Sequence, residues 1–162
     1  MSPVFQGGCL CGKVRFQATR PPLRTFACHC TFCQRLTGSS FYAESLFERD
    51  AVEFNGGELT QFEHRSDGSG KIVYVHFCPT CGTTIGLTFE RWPDVQVISR
   101  GCYDDPNAVA ITSHIWTRSA QTGIALPADV DCFEMARATL DGQAQPSIKH
   151  PVPVMARNDS AA

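Results

Sequence analysis

Seven of the nine cysteines in this 162-residue chain fall into three tight clusters. Clustered thiols are the ligand set of a borderline-soft metal ion such as zinc. The clusters read Gly8-Cys9-Leu10-Cys11-Gly12, Ala27-Cys28-His29-Cys30-Thr31-Phe32-Cys33 and Phe77-Cys78-Pro79-Thr80-Cys81-Gly82; only Cys102 and Cys132 stand alone. On an extended strand, residues i and i+2 face the same way, so Cys9 and Cys11 present both sulfurs to one point while Leu10 faces elsewhere. Cys78 and Cys81 form a Cys-x-x-Cys knuckle, and Gly82 relieves the steric demand as the chain reverses. Together the outer clusters supply four sulfurs, enough for a closed tetrahedral Zn2+ site that staples the N-terminal strand to the later hairpin.

The middle cluster has three cysteines within six residues. Cys28 and Cys30 share a face, the turn after them brings Cys33 to the same ion, and His29 points away. Three protein ligands plus an open position is the pattern of catalytic zinc. Three thiolates against Zn2+ leave a net charge near −1, a poor setting for generating hydroxide. A thiol arriving as fourth ligand is deprotonated from a free pKa of about 8.5, so the site suits delivery of a thiolate more than hydrolysis.

Other partitions remain open on spacing alone. A zinc ribbon on Cys30, Cys33, Cys78 and Cys81 would leave Cys9, Cys11 and Cys28 as free thiols. Alternatively, the middle site is structural too, closed by His29 or a distant histidine. A disulfide framework is disfavoured, because nine is odd and nothing points to an oxidising compartment.

These clusters need rigid strands to hold them. Strand-period alternation marks 13–18, 23–28, 41–47, 51–55, 59–64, 71–77, 83–89, 95–100 and 110–117, punctuated by Asn55-Gly56-Gly57, Asp67-Gly68-Ser69-Gly70, Trp92-Pro93-Asp94 and Asp104-Asp105-Pro106-Asn107. The pattern predicts a mainly β protein of antiparallel sheets with minor helix: one short turn after Cys30 and a weak helical pattern over 131–140. Residues 1–140 read as a single zinc-binding domain and 141–162 as a proline-containing tail, an extended arm or a disordered one. Lys plus Arg is 14 against 16 Asp plus Glu, a net charge of −2 that argues against nucleic-acid binding through a basic face. No basic segment followed by an apolar run opens the chain, and no stretch approaches the roughly 20 apolar residues of a membrane span, so a cytoplasmic, non-membrane protein is expected.

Three segments carry a resemblance: Gly8-Cys9-Leu10-Cys11-Gly12-Lys13-Val14, Cys28-His29-Cys30-Thr31-Phe32-Cys33-Gln34-Arg35-Leu36-Thr37-Gly38, and Phe77-Cys78-Pro79-Thr80-Cys81-Gly82-Thr83. They resemble the glutathione-dependent formaldehyde-activating enzyme family, which also includes centromere protein V. Gly101-Cys102-Tyr103-Asp104-Asp105-Pro106 and His114-Ile115-Trp116 add weaker likeness, while Cys102 and Gly123 depart from the family's pattern. The resemblance implies a zinc-stapled β-tent, structural zinc on Cys9, Cys11, Cys78 and Cys81, and catalytic zinc on Cys28, Cys30 and Cys33. It also implies an activity, joining glutathione or another small thiol to formaldehyde to give S-hydroxymethylglutathione, or working on a related adduct. The other class of reading is a non-catalytic zinc-stabilised binding or scaffold protein.

Around these cysteines, His64, His76 and His114 read as hydrogen-bonded strand histidines rather than ligands. Arg35 either solvates the surface or pairs a glutathione carboxylate through its forked donors. Phe32 either walls the open position or belongs to the core, and Cys102 and Cys132 read as buried thiols.

Overall fold

The computed structural model describes residues 5–157. In chain order its elements are β1 (Phe5–Gly8), β2 (Val14–Ala18), β3 (Arg24–Cys28), α1 (Thr31–Thr37), β4 (Tyr42–Glu48), β5 (Val52–Gly56), β6 (Thr60–Arg65), β7 (Ile72–Phe77), β8 (Thr84–Phe89), β9 (Val95–Ser99), β10 (Ser113–Ile115), β11 (Ala125–Leu126), β12 (Asp131–Cys132) and β13 (Val154–Met155), joined by short 3-10 turns. The protein is mainly β, with antiparallel sheets. Residues 1–4 of the predicted domain and 158–162 of the predicted tail lie outside the described residues.

The chain divides into two compact units, one comprising Met1–Thr25 with Glu44–Ala110, the other Phe26–Ala43 with Ile111–Ala162. In the first, β1, β2 and β5 form an antiparallel sheet with β2 central. A second antiparallel run pairs β4 with β9, β9 with β8, β8 with β7 and β7 with β6. The alternation of Val14, Phe16 and Ala18 puts those three side chains on one face, where they join Phe5, Phe47, Ile85, Ile98, Tyr103 and Val109 in a core. Cys9 and Cys78 are members of that core. Fully burying an aliphatic or aromatic side chain is worth about 1.5–3 kcal/mol, so this cluster is the main apolar anchor of the unit.

Gly86 allows β8 and β9 to approach: a Cβ built there would lie 1.8 Å from the carbonyl oxygen of Val97, a backbone atom that cannot swing away. Gly86→Ala is therefore expected to cost about 3 kcal/mol and to lower the melting temperature by roughly 6–12 °C. Gly68→Ala, where a Cβ meets nothing within 4 Å, should stay within about 0.5 kcal/mol of the parent. Equal melting temperatures for the two variants in differential scanning calorimetry would contradict this packing.

In the second unit β10 lies between β3 and β12 and runs parallel to both, with Ile115 opposite Cys28 and His114 opposite Cys132. The short antiparallel pair of β11 and β13 completes it. The helical pattern over 131–140 is not realised. Cys132 and Phe133 are consecutive buried residues, and their amides donate to Ile148 O (2.9 Å) and His114 O (2.8 Å), so pairing with distant segments overrides a weak local propensity. Beyond Asp141 the described chain is an extended, hydrogen-bonded arm. Ile148 exchanges backbone bonds with Cys132, Val154 pairs with Leu126, and Ala156 is buried.

Candidate metal centres

The first centre assembles from two turns. Cys9 N donates to Val14 O and Gly12 N to Cys9 O, both at 3.0 Å, so Cys9 and Cys11 sit in the tight β1–β2 turn and not on an extended strand as their spacing predicts. Leu10 points outward, 88 % exposed. In the β7–β8 knuckle, Cys78 N donates to Thr83 O (3.0 Å) and Gly82 N to Cys78 O (2.9 Å), with Gly82 at φ +72°, a left-handed conformation that disfavours any side chain. Besides bonds to the cysteine sulfurs, two bonds join the turns, from Leu10 N to Thr83 Oγ1 (3.2 Å) and from Lys13 Nζ to Thr80 Oγ1 (3.3 Å).

The four sulfurs of Cys9, Cys11, Cys78 and Cys81 lie within 4.8 Å of one another. Cys9 Sγ is 3.5 Å from Cys11 Sγ, which is 3.8 Å from Cys78 Sγ. A tetrahedral ion with sulfur ligands at about 2.3 Å puts neighbouring sulfurs about 3.8 Å apart, so the set fits zinc in size and donor type. Its protonation also reads as a shared site. Thr83's side chain and then its backbone amide lower Cys81 to about 5, while Cys11 is pushed up to about 11. On Cys11 the Lys13 amide pulls downward, and burial together with Cys9, Cys81 and Cys78 outweighs it. Four thiols this close ionise together only against a cation.

The second centre lies wholly in the other unit. β3 delivers Cys28 at its last residue, and Cys30 caps α1, its sulfur accepting from Cys33 N at 3.4 Å. The sulfurs of Cys28, Cys30 and Cys33 lie within 4.8 Å of one another, and among the described residues no fourth Cys, His, Asp or Glu joins the set. Cys28 and Cys33 are buried and Cys30 half-buried. Hydrogen bonds from Cys28 and then Cys33 lower the Cys30 thiol to about 3, so this sulfur is the anionic centre of the cluster.

His29 does not close this set. It is fully buried, and its Nε2 is 3.0 Å from Nδ1 of His114, with the two rings stacked at 5.2 Å and Phe41 at 5.3 Å on the same imidazole. Burial, and then the adjacent His114, pushes His29 down to about 4; burial likewise lowers His114. Both imidazoles are neutral near pH 7. His114 is thus a hydrogen-bonded strand histidine, as is His76, whose Nε2 is 2.8 Å from Thr88 Oγ1. His64 is half-buried on β6, and Phe32 is half-buried on α1. Cys102, half-buried, donates to Thr84 O (3.5 Å), and burial pushes its thiol up to about 11; burial also raises Cys132. None of the nine cysteines is joined in a disulfide.

One network near the second centre has no signature in the sequence. Gln34 Nε2 donates to His29 O (2.7 Å) and Ser119 O (2.9 Å), Gln121 Nε2 donates to Gln34 Oε1 (3.1 Å), and Ser40 Oγ donates to Gln121 Oε1 (2.9 Å). It ties α1 to a loop 85 residues away, a separation no local pattern reports.

Residues 4–119 match the protein family described as glutathione-dependent formaldehyde-activating enzyme. A Halomonas elongata protein named "Putative glutathione-dependent formaldehyde-activating enzyme" is 30% identical over 95 residues, 57% of this chain and 60% of that protein's length. A crystal structure of a Rhodobacter sphaeroides protein superposes with a TM-score of 0.49 at 18% identity, covering 63% of this chain and 92% of the other. With the family match spanning well over half its residues, the chain belongs to the glutathione-dependent formaldehyde-activating enzyme family.

Proposed function

We propose that the protein is a zinc-dependent carbon–sulfur lyase/synthase that joins glutathione to formaldehyde, giving S-hydroxymethylglutathione, and works in the cytoplasm. The observation that carries this reading is the three-cysteine set of Cys28, Cys30 and Cys33, beside the separate four-cysteine set of Cys9, Cys11, Cys78 and Cys81. The family membership supports the substrate pair. Among the described residues, no helix is long and apolar enough to cross a membrane.

In the reaction, the thiol sulfur forms a bond to the aldehyde carbon, the carbonyl π bond breaks, and the thiol proton ends on the new hydroxyl; nothing else is consumed. When bound to Cys28, Cys30 and Cys33, a zinc ion supplies the positive charge that makes an incoming thiol acidic at neutral pH. The chain holds that charge in place. β3 fixes Cys28 against Ile115, and the Cys33 amide donates to Cys30 Sγ and stabilises the anionic sulfur. The buried His29–His114 pair, neutral near pH 7, adds no competing cation between Cys28 and Cys30 in the chain. The four-cysteine set has no position left for a substrate, so its duty is structural.

The test is exchange NMR on an equilibrium mixture of glutathione and formaldehyde. Zinc-loaded protein should raise the exchange rate between free glutathione and its hydroxymethyl adduct. An unchanged rate with two zinc ions bound per chain would overturn the proposal.

A further inference from the structure

At the end of α1, Gln34, Arg35, Gly38, Ser39, Ser40 and Gln121 line a cavity of about 430 Å³. That volume falls in the range of small-molecule sites, but the lining is polar and holds no acidic side chain. Its walls are set in advance. The amides of Gln34 and Gln121 are committed to each other, to Ser40 and to backbone carbonyls. The donors left for a ligand are the Arg35 guanidinium and the Ser39 hydroxyl, which have no partner among the described residues.

Half of the fourteen Lys and Arg side chains are held by a carboxylate or an aromatic ring. Arg15 is paired with Asp104, Arg20 with Glu48 and Asp50, and Lys71 with Glu90, while Arg91, Arg118 and Arg137 lie over aromatic rings. Arg35 has neither kind of partner, and it borders a preformed recess. A guanidinium without a counter-ion at a polar recess matches a carboxylate, which it can take bidentately. The carbonyl end of α1 disfavours anions, but by only about half a charge spread over its last turn, against the full charge of Arg35.

The cavity shares α1 with the chemistry: Arg35 is two residues beyond Cys33, about 3 Å further along the helix axis and about 200° round it. A tripeptide held by the sulfur of its central residue carries a terminal carboxylate on an arm of roughly 7 Å, the scale of the offset between Cys33 and Arg35 on the helix.

We propose that the cavity at the end of α1 is a carboxylate-docking subsite for the thiol substrate, with Arg35 supplying the charge and Ser39 a neutral donor. The identity of that substrate rests on the function proposed above. The subsite predicts a preference for an acidic peptide thiol over an uncharged one.

S-methylglutathione, which keeps both carboxylates but has no free thiol, tests the subsite apart from the chemistry. Added to the zinc-loaded protein, it should shift the NMR signals of Arg35, Ser39 and Gln121 saturably. Its diethyl ester should bind about tenfold more weakly, Arg35→Ala should abolish the shifts, and Arg35→Lys, which lacks the fork, should restore them in part. Shifts produced equally by the diester, or their absence, overturn the proposal. Equal shifts with acetate at the same concentration also overturn it, showing a site for any small carboxylate. In the exchange assay, Arg35→Ala should raise KM for glutathione about tenfold, more than any change in kcat. NMR shifts without accelerated exchange would leave the subsite standing and overturn the proposed reaction; accelerated exchange without shifts would do the reverse.

Discussion

Cys78→Ser should release one zinc ion per chain and unfold the unit that contains it. Cys78 is completely buried in the core with Val14, Phe16 and Ile85, and its sulfur faces Cys11 from the opposite turn. Apart from a metal and the bonds to the cysteine sulfurs themselves, the bonds joining the two turns are Leu10 to Thr83 and Lys13 to Thr80, both exposed. Each is worth about 1 kcal/mol net. A structural zinc in small peptides contributes about 10–16 kcal/mol, as much as the whole net stability of a typical domain. A metal held by the four sulfurs would be the dominant link, and serine is a poor substitute because its hydroxyl does not ionise at neutral pH. Zinc analysis should fall from two ions to one or fewer, and the near-ultraviolet circular dichroism contributed by Tyr74, Trp92 and Tyr103 of that unit should be lost. A folded variant holding two zinc ions would show that these four cysteines do not share an ion.

The second large effect is expected from Cys30→Ser, which should abolish accelerated exchange and leave the fold intact. Cys30 has two duties in the structure, as one of three clustered sulfurs and as the residue whose side chain caps α1 through Cys33 N. Serine keeps the second duty, being among the best N-cap residues, and lacks the thiolate needed for the first. The unit's other supports are untouched: β10 between β3 and β12, the Ile148–Cys132 bonds and the Gln34 bridges. A melting temperature within a few degrees of the parent, one zinc ion lost, and an exchange rate at background are the expected results. Cys30→Ser and Cys78→Ser should therefore separate activity from folding. If both unfold, or both stay active, the division of duties is wrong.

Much of this arrangement is written locally. Val14, Phe16 and Ala18 alternate into the core as their spacing predicts, and strands such as Ile72–Phe77 and Thr84–Phe89 fall within a residue of their predicted limits. The cysteines are legible for the same reason: Cys78 and Cys81 form the predicted knuckle, and Cys30 starts the predicted turn of helix. What is not legible depends on distant partners. β1 contains Gly7 and Gly8, poor strand formers, and owes its extended form to pairing with β2. The residues after Asp131 give up helix because Cys132 and Phe133 pair with Ile148 and His114. The parallel setting of β10, the His29–His114 contact and the Gln34–Gln121 clasp join segments about 85 residues apart, and no periodicity encodes them. Cys9 and Cys11 show a subtler difference, since their convergence comes from a turn rather than from strand alternation.

The central claim is that two cysteine sets hold two ions with different duties, and a chelator titration addresses it most directly. Bound zinc, circular dichroism and glutathione–formaldehyde exchange are followed on one sample as a thiol-competitive chelator is added. The expected course starts at two ions per chain. The ion on Cys28, Cys30 and Cys33 should leave first, having three protein ligands against four, and the exchange rate should fall in proportion while the dichroism holds until the second ion leaves. A single ion at the start, or exchange that persists after the first ion has gone, would contradict the account.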